Sequence, residues 1–234
     1  MRELGVVAGL WLAASVAGAD PANGNLGATF ALPGSAMDVR IHYASAGSGA
    51  SALAGEGSLG ANLPLDGRLT VRVPVSVGSS AMLGDTQVAA GYALLHESNL
   101  LPRLAVTAEL ALPTAPGSHG ARPGVKATAA KKLLWGPVRD FHVETELRTE
   151  GRGLARSYRT AVGTHLQILK STTASIDLVT LRPSGRSLLP RDDQAQIGIC
   201  QEVTKGTKLR LGLGAGVTGG QSSLRSTVGI DWRF

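Results

Sequence analysis

The sequence predicts an all-β protein, a transmembrane antiparallel up-and-down β-barrel of about twelve strands. Three observations support this prediction: an apolar N-terminal segment with a cleavage site, many segments in which apolar and polar residues alternate, and a last strand that ends on an aromatic residue. Alternation with a period of two residues is typical of strands whose two faces meet different surroundings. A chain with these features is expected to be exported and to cross a membrane with strands.

The first 19 residues resemble a secretory signal peptide. Arg2 precedes an apolar run at residues 4–14, and small residues at 17–19 offer a cleavage site. The run has about 11 apolar residues, whereas a membrane-spanning helix needs about 18. We therefore expect residues 1–19 to be removed on export and residues 20–234 to form one barrel. The alternative is a buried N-terminal helix.

Composition narrows the class of protein. Hydrophobic residues make up 43% of the chain and charged residues 17%, which is typical of a folded protein rather than a disordered one. Cys200 is the one cysteine, so we expect neither an internal disulfide nor a cysteine-based zinc cluster. The net charge of +6 comes from basic residues spread along the chain. Export and this spread argue against a nucleic-acid partner.

Alternation recurs along the whole mature chain. Residues 68–77 place apolar residues on one face and Thr70, Arg72, Pro74 and Ser76 on the other. Because the polar face repeatedly carries charge, one face is expected to meet lipid and the other the barrel interior. An even number of segments shows the pattern, as single-chain bacterial barrels require. The predicted strands are 37–43, 53–63, 68–77, 85–95, 103–112, 125–133, 141–148, 158–168, 174–181, 195–203, 209–217 and 224–234.

The connections between these strands fall into two sets. The set on the side of the C-terminus is short, and the opposite set includes the three longest or richest in glycine and proline. Short periplasmic turns and longer external loops are typical of outer-membrane barrels. The predicted periplasmic turns are 64–67, 96–102, 135–140, 169–173 and 204–207, and the predicted external loops are 45–52, 78–84, 113–124, 149–155, 183–193 and 218–222.

The C-terminus resembles the signal by which bacterial outer-membrane barrels are recognised by their assembly machinery. Its elements are Thr227, Gly229, Trp232 and the terminal Phe234. The resemblance implies the bacterial outer membrane as location, and the barrel assembly machinery and periplasmic chaperones as partners. The alternative is the last strand of a soluble β-sandwich.

Two neighbouring strands carry a family resemblance. Gly84 and Asp85 open one segment (GDTQVAAGYALL), and the next runs from Pro102 to Thr114 (PRLAVTAELALPT). This resembles the outer-membrane family of transporter-like proteins of the meta-pathway of phenol degradation, in which the second strand ends in Leu-Pro-Thr-Gly. Ala115 replaces the last glycine of that pattern. The resemblance implies a channel that admits small organic molecules, often aromatic ones.

Charged residues are predicted to point into the barrel. A Lys or Arg that faces lipid at mid-depth costs about 2 to 4 kcal/mol, so the apolar face should meet the membrane. Inward charges of both signs either pair and close the bore or line a narrow pore, and the sequence leaves both open. The predicted lumen-lining residues are Asp38, Arg40, His42, Glu56, Arg72, Glu109, Glu144, Glu146, Arg148, Arg159, His165, Asp177, Glu202, Arg210, Arg225 and Asp231.

Catalysis is not indicated. No Gly-x-Ser-x-Gly motif, Ser/His pair or metal-spaced His/Glu set is evident, so we expect no catalytic residue, metal or cofactor. The loop at 183–193 carries Arg186 and Arg191, which suit contact with lipopolysaccharide phosphates or the steering of an anionic solute, although a solvated loop is the favoured interpretation. The sequence therefore predicts a passive channel for small organic solutes, aromatic ones included, in contact with membrane lipid and lipopolysaccharide. The alternatives are a closed structural barrel and a lipid-modifying enzyme.

Overall fold

The computed structural model describes most of the chain after residue 35. Residues 1–19, the predicted signal peptide, and the terminal Phe234 lie outside the described residues. The described residues are 36–46, 51–63, 67–77, 81–116, 118, 120–150, 155–184 and 191–233.

Strands make up nearly all of the described residues. None of these residues forms a helix with the length and apolarity needed to cross a membrane. In chain order the strands are β1 (Ala36–Ala46), β2 (Ser51–Leu63), β3 (Gly67–Val77), β4 (Ala81–Leu83), β5 (Gln87–Leu95), β6 (Arg103–Ala111), β7 (Arg122–Trp135), β8 (Val138–Glu150), β9 (Ala155–Leu169), β10 (Thr172–Ser184), β11 (Asp192–Thr204), β12 (Thr207–Thr218) and β13 (Gln221–Arg233).

The strands close into a barrel with twelve positions around its wall. Each pairs antiparallel with its neighbours in sequence, and β1 pairs with β13, from Ala36 opposite Arg233 to Ala46 opposite Ser223. The short β4 and the longer β5 both pair with β3, at its end and at its beginning respectively, so together they fill one position. The predicted up-and-down barrel of about twelve strands is confirmed. Apart from the three-residue β4, which pairs only with β3, every described strand is paired on both sides, so the described wall has no long edge strand.

The two ends of the barrel differ. An even number of strands brings both ends of the described chain to one rim, where two-residue turns at 136–137, 170–171 and 205–206 join successive strands. Gly136 and Gly206 have φ values of 57° and 94°, the left-handed conformation that tight hairpin turns need and glycine adopts without strain. The longer connection between β6 and β7, at 112–121, lies at the opposite rim, together with a two-residue turn at 219–220.

The distribution of apolar and polar side chains over the two faces of the wall is the reverse of that in a soluble protein. Large apolar side chains such as Ile41, Leu178 and Leu213 are exposed on the outer face. Polar and charged side chains such as Gln196 and Arg225 are buried on the inner face. Lipid hydrocarbon around the barrel explains why the outer face is apolar, because apolar side chains are stable in contact with hydrocarbon but not with water. The predicted apolar and polar faces are therefore those of a membrane barrel.

Several predicted element boundaries are wrong, because strands extend into most of the predicted connections. For example, β7 begins at Arg122 and β8 at Val138, each inside a predicted connection. Asp85 was expected to begin a strand, but it lies in a break between β4 and β5, where its carboxylate bonds to the loop after β6. Asp192 and Asp193 were expected in an external loop, but they begin β11. The strand extends this far because Asp192 is buried and paired with Arg225 across the inner wall.

Candidate functional site

Charged side chains meet on the inner wall where β6, β7, β8 and β9 run side by side. Arg148 Nη2 lies 2.9 Å from Glu109 Oε2, and Lys126 Nζ lies 3.6 Å from Glu109 Oε1. Lys126 Nζ is also 4.0 Å from Glu144 Oε2, and Arg159 contacts the same Glu144. We call the full set the central ion-pair cluster: Glu109, Lys126, Glu144, Glu146, Arg148 and Arg159.

A glycine makes room for the Glu109–Arg148 pair. Gly124 on β7 stands between the two residues, opposite Glu109 on one side and Arg148 on the other. Neighbouring strands are about 4.8 Å apart, so the pair spans about 10 Å of wall between strands that do not touch. A Cβ at Gly124 would lie 3.2 Å from Arg148 Cγ and 3.7 Å from Glu109 Cβ. The strand between the partners thus carries no side chain that would separate them.

The cations of this region are more accessible than the carboxylates that they pair with. The Arg72 side chain is 23% exposed, whereas Glu56, whose Oε1 lies 3.2 Å from Arg72 Nε, is 2% exposed. The Arg148 side chain is 28% exposed and its partner Glu146 is 5% exposed. Lys126 is 19% exposed. The part of the inner wall that a solute can touch here is therefore basic.

A second cluster lies on β8, β9 and β10, near the rim with two-residue turns. His142 Nε2 is 2.8 Å from Asp177 Oδ1, and His165 Nδ1 is 2.5 Å from Asp140 Oδ1. The two imidazole rings stack with their centroids 5.0 Å apart. Gly163 on β9 stands between His142 and Asp177, as Gly124 does between Glu109 and Arg148. We call Asp140, His142, His165 and Asp177 the histidine cluster.

A third group joins β11, β12 and β13. Arg225 Nη2 lies 2.9 Å from Asp192 Oδ2, and the Thr218 hydroxyl donates to Asp192 Oδ1 at 2.6 Å. The Gln194 amide donates to the same oxygen at 3.0 Å. Gly214 on β12 faces inward beside this group, and a Cβ there would lie 3.1 Å from Gln196 Cγ. This side of the interior is filled by hydrogen-bonded polar side chains.

Most of the predicted lumen-lining residues lie on the inner face. Glu202 lies close to a two-residue turn and is exposed. The register places Asp38, Arg40 and His42 opposite Asp231, Gly229 and Thr227, and their side chains are outside the described part of the structure. The following are buried or half-buried in the interior: Glu56, Arg72, Glu109, Glu144, Glu146, Arg148, Arg159, His165, Asp177, Arg210, Arg225 and Asp231.

Three residues of the predicted assembly signal, Thr227, Gly229 and Trp232, lie on β13, whereas Phe234 is outside the described residues. Thr227 and Gly229 are buried on the inner face, and Trp232 lies on the opposite face of the strand. Recognition by an assembly machinery stays a prediction.

Several residues of the interior were not predicted from the sequence. Lys126 lies in a segment of weak alternation, and Asp140 was assigned to a turn. His142 lies in the predicted strand 141–148 but was not among the predicted lumen-lining residues. The signal for the histidine cluster was the Asp140-x-His142 spacing, which puts both side chains on one face of a strand. Finding His165 beside them required the register of β8 against β9.

The residues that carry the family resemblance fasten a loop at the rim with longer connections. The Asp85 carboxylate accepts hydrogen bonds from the Ala115 N–H at 3.0 Å, the Ser118 hydroxyl at 2.6 Å and Arg122 Nη2 at 2.5 Å. The Thr114 hydroxyl accepts a bond from the Thr86 N–H at 2.7 Å. Ala115 contributes only its backbone N–H, which any residue except proline supplies. Replacement of the usual glycine by Ala115 therefore keeps this bond.

Replacing Asp85 by alanine is expected to free this loop. Charge-assisted hydrogen bonds are worth about 1.5 to 3 kcal/mol each, so loss of the carboxylate should raise the open population of residues 112–121 at least about tenfold. Limited proteolysis of the folded protein in detergent would measure this as faster cleavage within the loop. Asp193→Ala is the matched control, since Asp193 pairs with Arg182 and Arg191 elsewhere. Equal cleavage rates for D85A and D193A would contradict the proposed fastening.

Comparisons with known proteins show the fold. No protein-family model matches the sequence, and no curated protein is significantly similar to it. Among solved structures, an outer membrane channel from Pseudomonas putida F1 is 18% identical, with 92% of this chain and 100% of that chain covered and a TM-score of 0.67. The NanC porin is 12% identical, with coverage of 85% and 100% and a TM-score of 0.64. The KdgM porin is 14% identical, with coverage of 84% and 99% and a TM-score of 0.58. The chain thus has the β-barrel fold that outer-membrane channels and porins share.

Proposed function

We propose that the protein is a passive channel of the bacterial outer membrane for small organic solutes, with a preference for anions. The apolar outer face, the closed wall and the charged interior support a barrel that is surrounded by lipid and lipopolysaccharide. Its structural neighbours are channels and porins, which supports transport over catalysis. The phenol-pathway family remains an interpretation that rests on the sequence resemblance at residues 84–114.

The observation that carries the preference for anions is the exposure of the cations in the central ion-pair cluster and at Arg72. Each carboxylate lies deeper in the wall than the basic group beside it, so a passing solute meets guanidinium and ammonium groups first. Charges on the wall of a narrow, low-dielectric bore act on an ion more strongly than they would in open water. Rings of Arg and Lys are the usual lining of anion-selective pores.

A closed structural barrel is the second candidate, and the burial of the interior favours it. Among the described residues, many inner side chains are almost fully covered by their partners, including Glu56, His142, Gln196 and Arg225. In a barrel midway in size between small filled ones and large porins, such pairing leaves a narrow passage or none. Conductance distinguishes the two candidates directly.

Single-channel recording in a planar bilayer tests the proposal. Protein purified from outer membranes is expected to give ohmic conductance, with a reversal potential in a salt gradient that reports higher permeability for chloride than for potassium. Liposomes that contain the protein should admit gluconate faster than glucose, an uncharged solute of similar size, because the accessible lining is basic and neither solute crosses lipid unaided. Correctly inserted protein that conducts nothing would overturn the channel and leave the closed barrel. Conduction with cation preference would overturn the anion preference alone.

A further inference from the structure

The histidine cluster has the donor set and the arrangement of a transition-metal site. Asp140, His142 and His165 each offer one ligand atom, and these atoms lie within 4.8 Å of one another. Asp140 Oδ1 is 2.5 Å from His165 Nδ1 and 3.8 Å from His142 Nδ1. Ligand atoms around a tetrahedral zinc ion are about 3.3 Å apart, since zinc to nitrogen or oxygen distances are about 2.0 to 2.2 Å. The spacing therefore needs only small side-chain adjustments to enclose an ion.

A carboxylate behind His142 sets which nitrogen faces the site. Asp177 Oδ1 lies 2.8 Å from His142 Nε2, and a carboxylate at this position holds the proton on Nε2. The Nδ1 lone pair is then left to face Asp140. Metal-binding histidines commonly hydrogen-bond through their other nitrogen to a carboxylate, which orients the ring and raises its basicity.

Two buried nitrogen atoms in the cluster lack a hydrogen bond among the described residues. His142 Nδ1 has no hydrogen bond, and the His142 side chain is 2% exposed. His165 Nε2 likewise has none among the described residues, and the His165 side chain is 6% exposed. An unpaired polar group in such a place costs free energy, commonly about 1 to 3 kcal/mol. A cation bound to His142 Nδ1 would remove one of these deficits, which a purely structural cluster would leave in place.

The cluster is accessible to solvent through Asp140. Asp140 is 25% exposed, although both imidazole rings are covered. An ion can therefore enter past Asp140 and keep a fourth ligand position for water. Two imidazole nitrogens and one carboxylate oxygen suit Zn²⁺ better than Mg²⁺ or Ca²⁺, which take oxygen ligands almost alone.

We infer that Asp140, His142 and His165 form a binding site for a divalent transition-metal ion of the zinc type on the inner wall, with Asp177 as the carboxylate that orients His142. The site borders the central ion-pair cluster on the side nearer the rim with two-residue turns, since His142 precedes Glu144 by two residues on the inner face of β8. It is independent of the proposed transport function, because binding requires the barrel fold and access from one rim but no open passage.

Cobalt binding tests the inference on protein purified from outer membranes without a polyhistidine tag. Wild-type protein is expected to bind about one equivalent of Co²⁺ with visible absorption bands of a low-symmetry site, and Zn²⁺ should displace them. His142→Ala and His165→Ala should weaken binding at least about 100-fold, and Asp177→Asn about 10-fold, the range typical for loss of a carboxylate behind a ligand. His96→Ala is the matched control, since His96 lies in the connection at 96–102 and is exposed; its affinity should equal that of wild type.

Heat-modifiable migration on gels would show that each variant is folded before its affinity is measured. If the wild-type protein binds less than about a fifth of an equivalent of Co²⁺, the proposed metal site is wrong, and no variant is needed to show it. So would affinities of the folded His142→Ala and His165→Ala variants within about twofold of wild type. The channel recordings described above are separate, so failure of metal binding and failure of conductance can be told apart.

Discussion

Replacing Arg148 by glutamine is expected to shift the ion selectivity of the channel from anions toward cations. Arg148 is the most exposed cation of the central ion-pair cluster and covers both Glu109 and Glu146. Its loss removes a positive charge from the accessible wall and uncovers two carboxylates. A unit charge about 8 Å from the path of an ion, at an effective dielectric constant of about 40, contributes about 1 kcal/mol, which corresponds to about fivefold in permeability. Removal of one charge and exposure of others should change the chloride to potassium permeability ratio at least fivefold.

Reversal potentials in a tenfold salt gradient would measure this ratio. Arg156→Gln is the matched control, because Arg156 is exposed next to the buried Ser157 on β9 and so points out of the barrel. It removes the same formal charge, and its permeability ratio should stay within about twofold of wild type. Equal ratios for R148Q and R156Q would show that the central ion-pair cluster does not line the conducting path. The effect should weaken at high salt, since exposed charges are then screened.

Replacing Gly163 by alanine is expected to destabilise the barrel severely. A Cβ at this position would lie 2.0 Å from Asp177 Oδ1 and 2.7 Å from the Ile176 carbonyl oxygen, so both a side chain and the backbone of β10 obstruct it. Overpacking of this kind costs about 1 to 3 kcal/mol, and displacement of Asp177 also removes the hydrogen bond to His142. We expect a loss of about 3 kcal/mol in the free energy of unfolding.

Urea unfolding in detergent micelles, followed by tryptophan fluorescence, would measure this loss. Gly57→Ala is the matched control, since a Cβ at Gly57 on β2 meets nothing within 4 Å. That variant should be as stable as wild type, or slightly more stable because alanine restricts the unfolded chain. If G163A unfolds at the same urea concentration as G57A, the glycine is not required for the contact between β8 and β10.

The barrel could be predicted from the sequence because its signal is local. Alternation with a period of two is visible within each strand, and an even count of strands follows from that pattern. The predicted inner faces relied on the same periodicity, which is why Glu144, Arg159 and Asp177 were placed without knowledge of neighbouring strands. Strand ends carry a weaker local signal. Asp192 stands among the proline and charged residues of a predicted loop, and only its partner Arg225 on β13 shows why β11 begins there.

The pairs that form the candidate sites could not be predicted, since they depend on register between strands. Glu109 and Arg148 are 39 residues apart and meet across a strand that contributes only Gly124 between them. One residue of slip in either register would move Gly124 away and put a different side chain between the partners. The sequence therefore showed which residues face the interior but not which of them are neighbours.

Closure of the wall by β1 and β13 has a consequence for how the molecule folds. Ala36 pairs with Arg233, so β1 can form hydrogen bonds along both of its edges only after β13, the last strand, is in place. Joining ends about 200 residues apart costs about 5 kcal/mol in loop-closure entropy if the intervening chain is disordered. This entropic cost is lower if the other strands have already paired as successive hairpins. We therefore expect the barrel to fold by sequential hairpins, with the pairing of β1 and β13 formed last. Until synthesis and export are complete, the unpaired edge of β1 must be kept from aggregation.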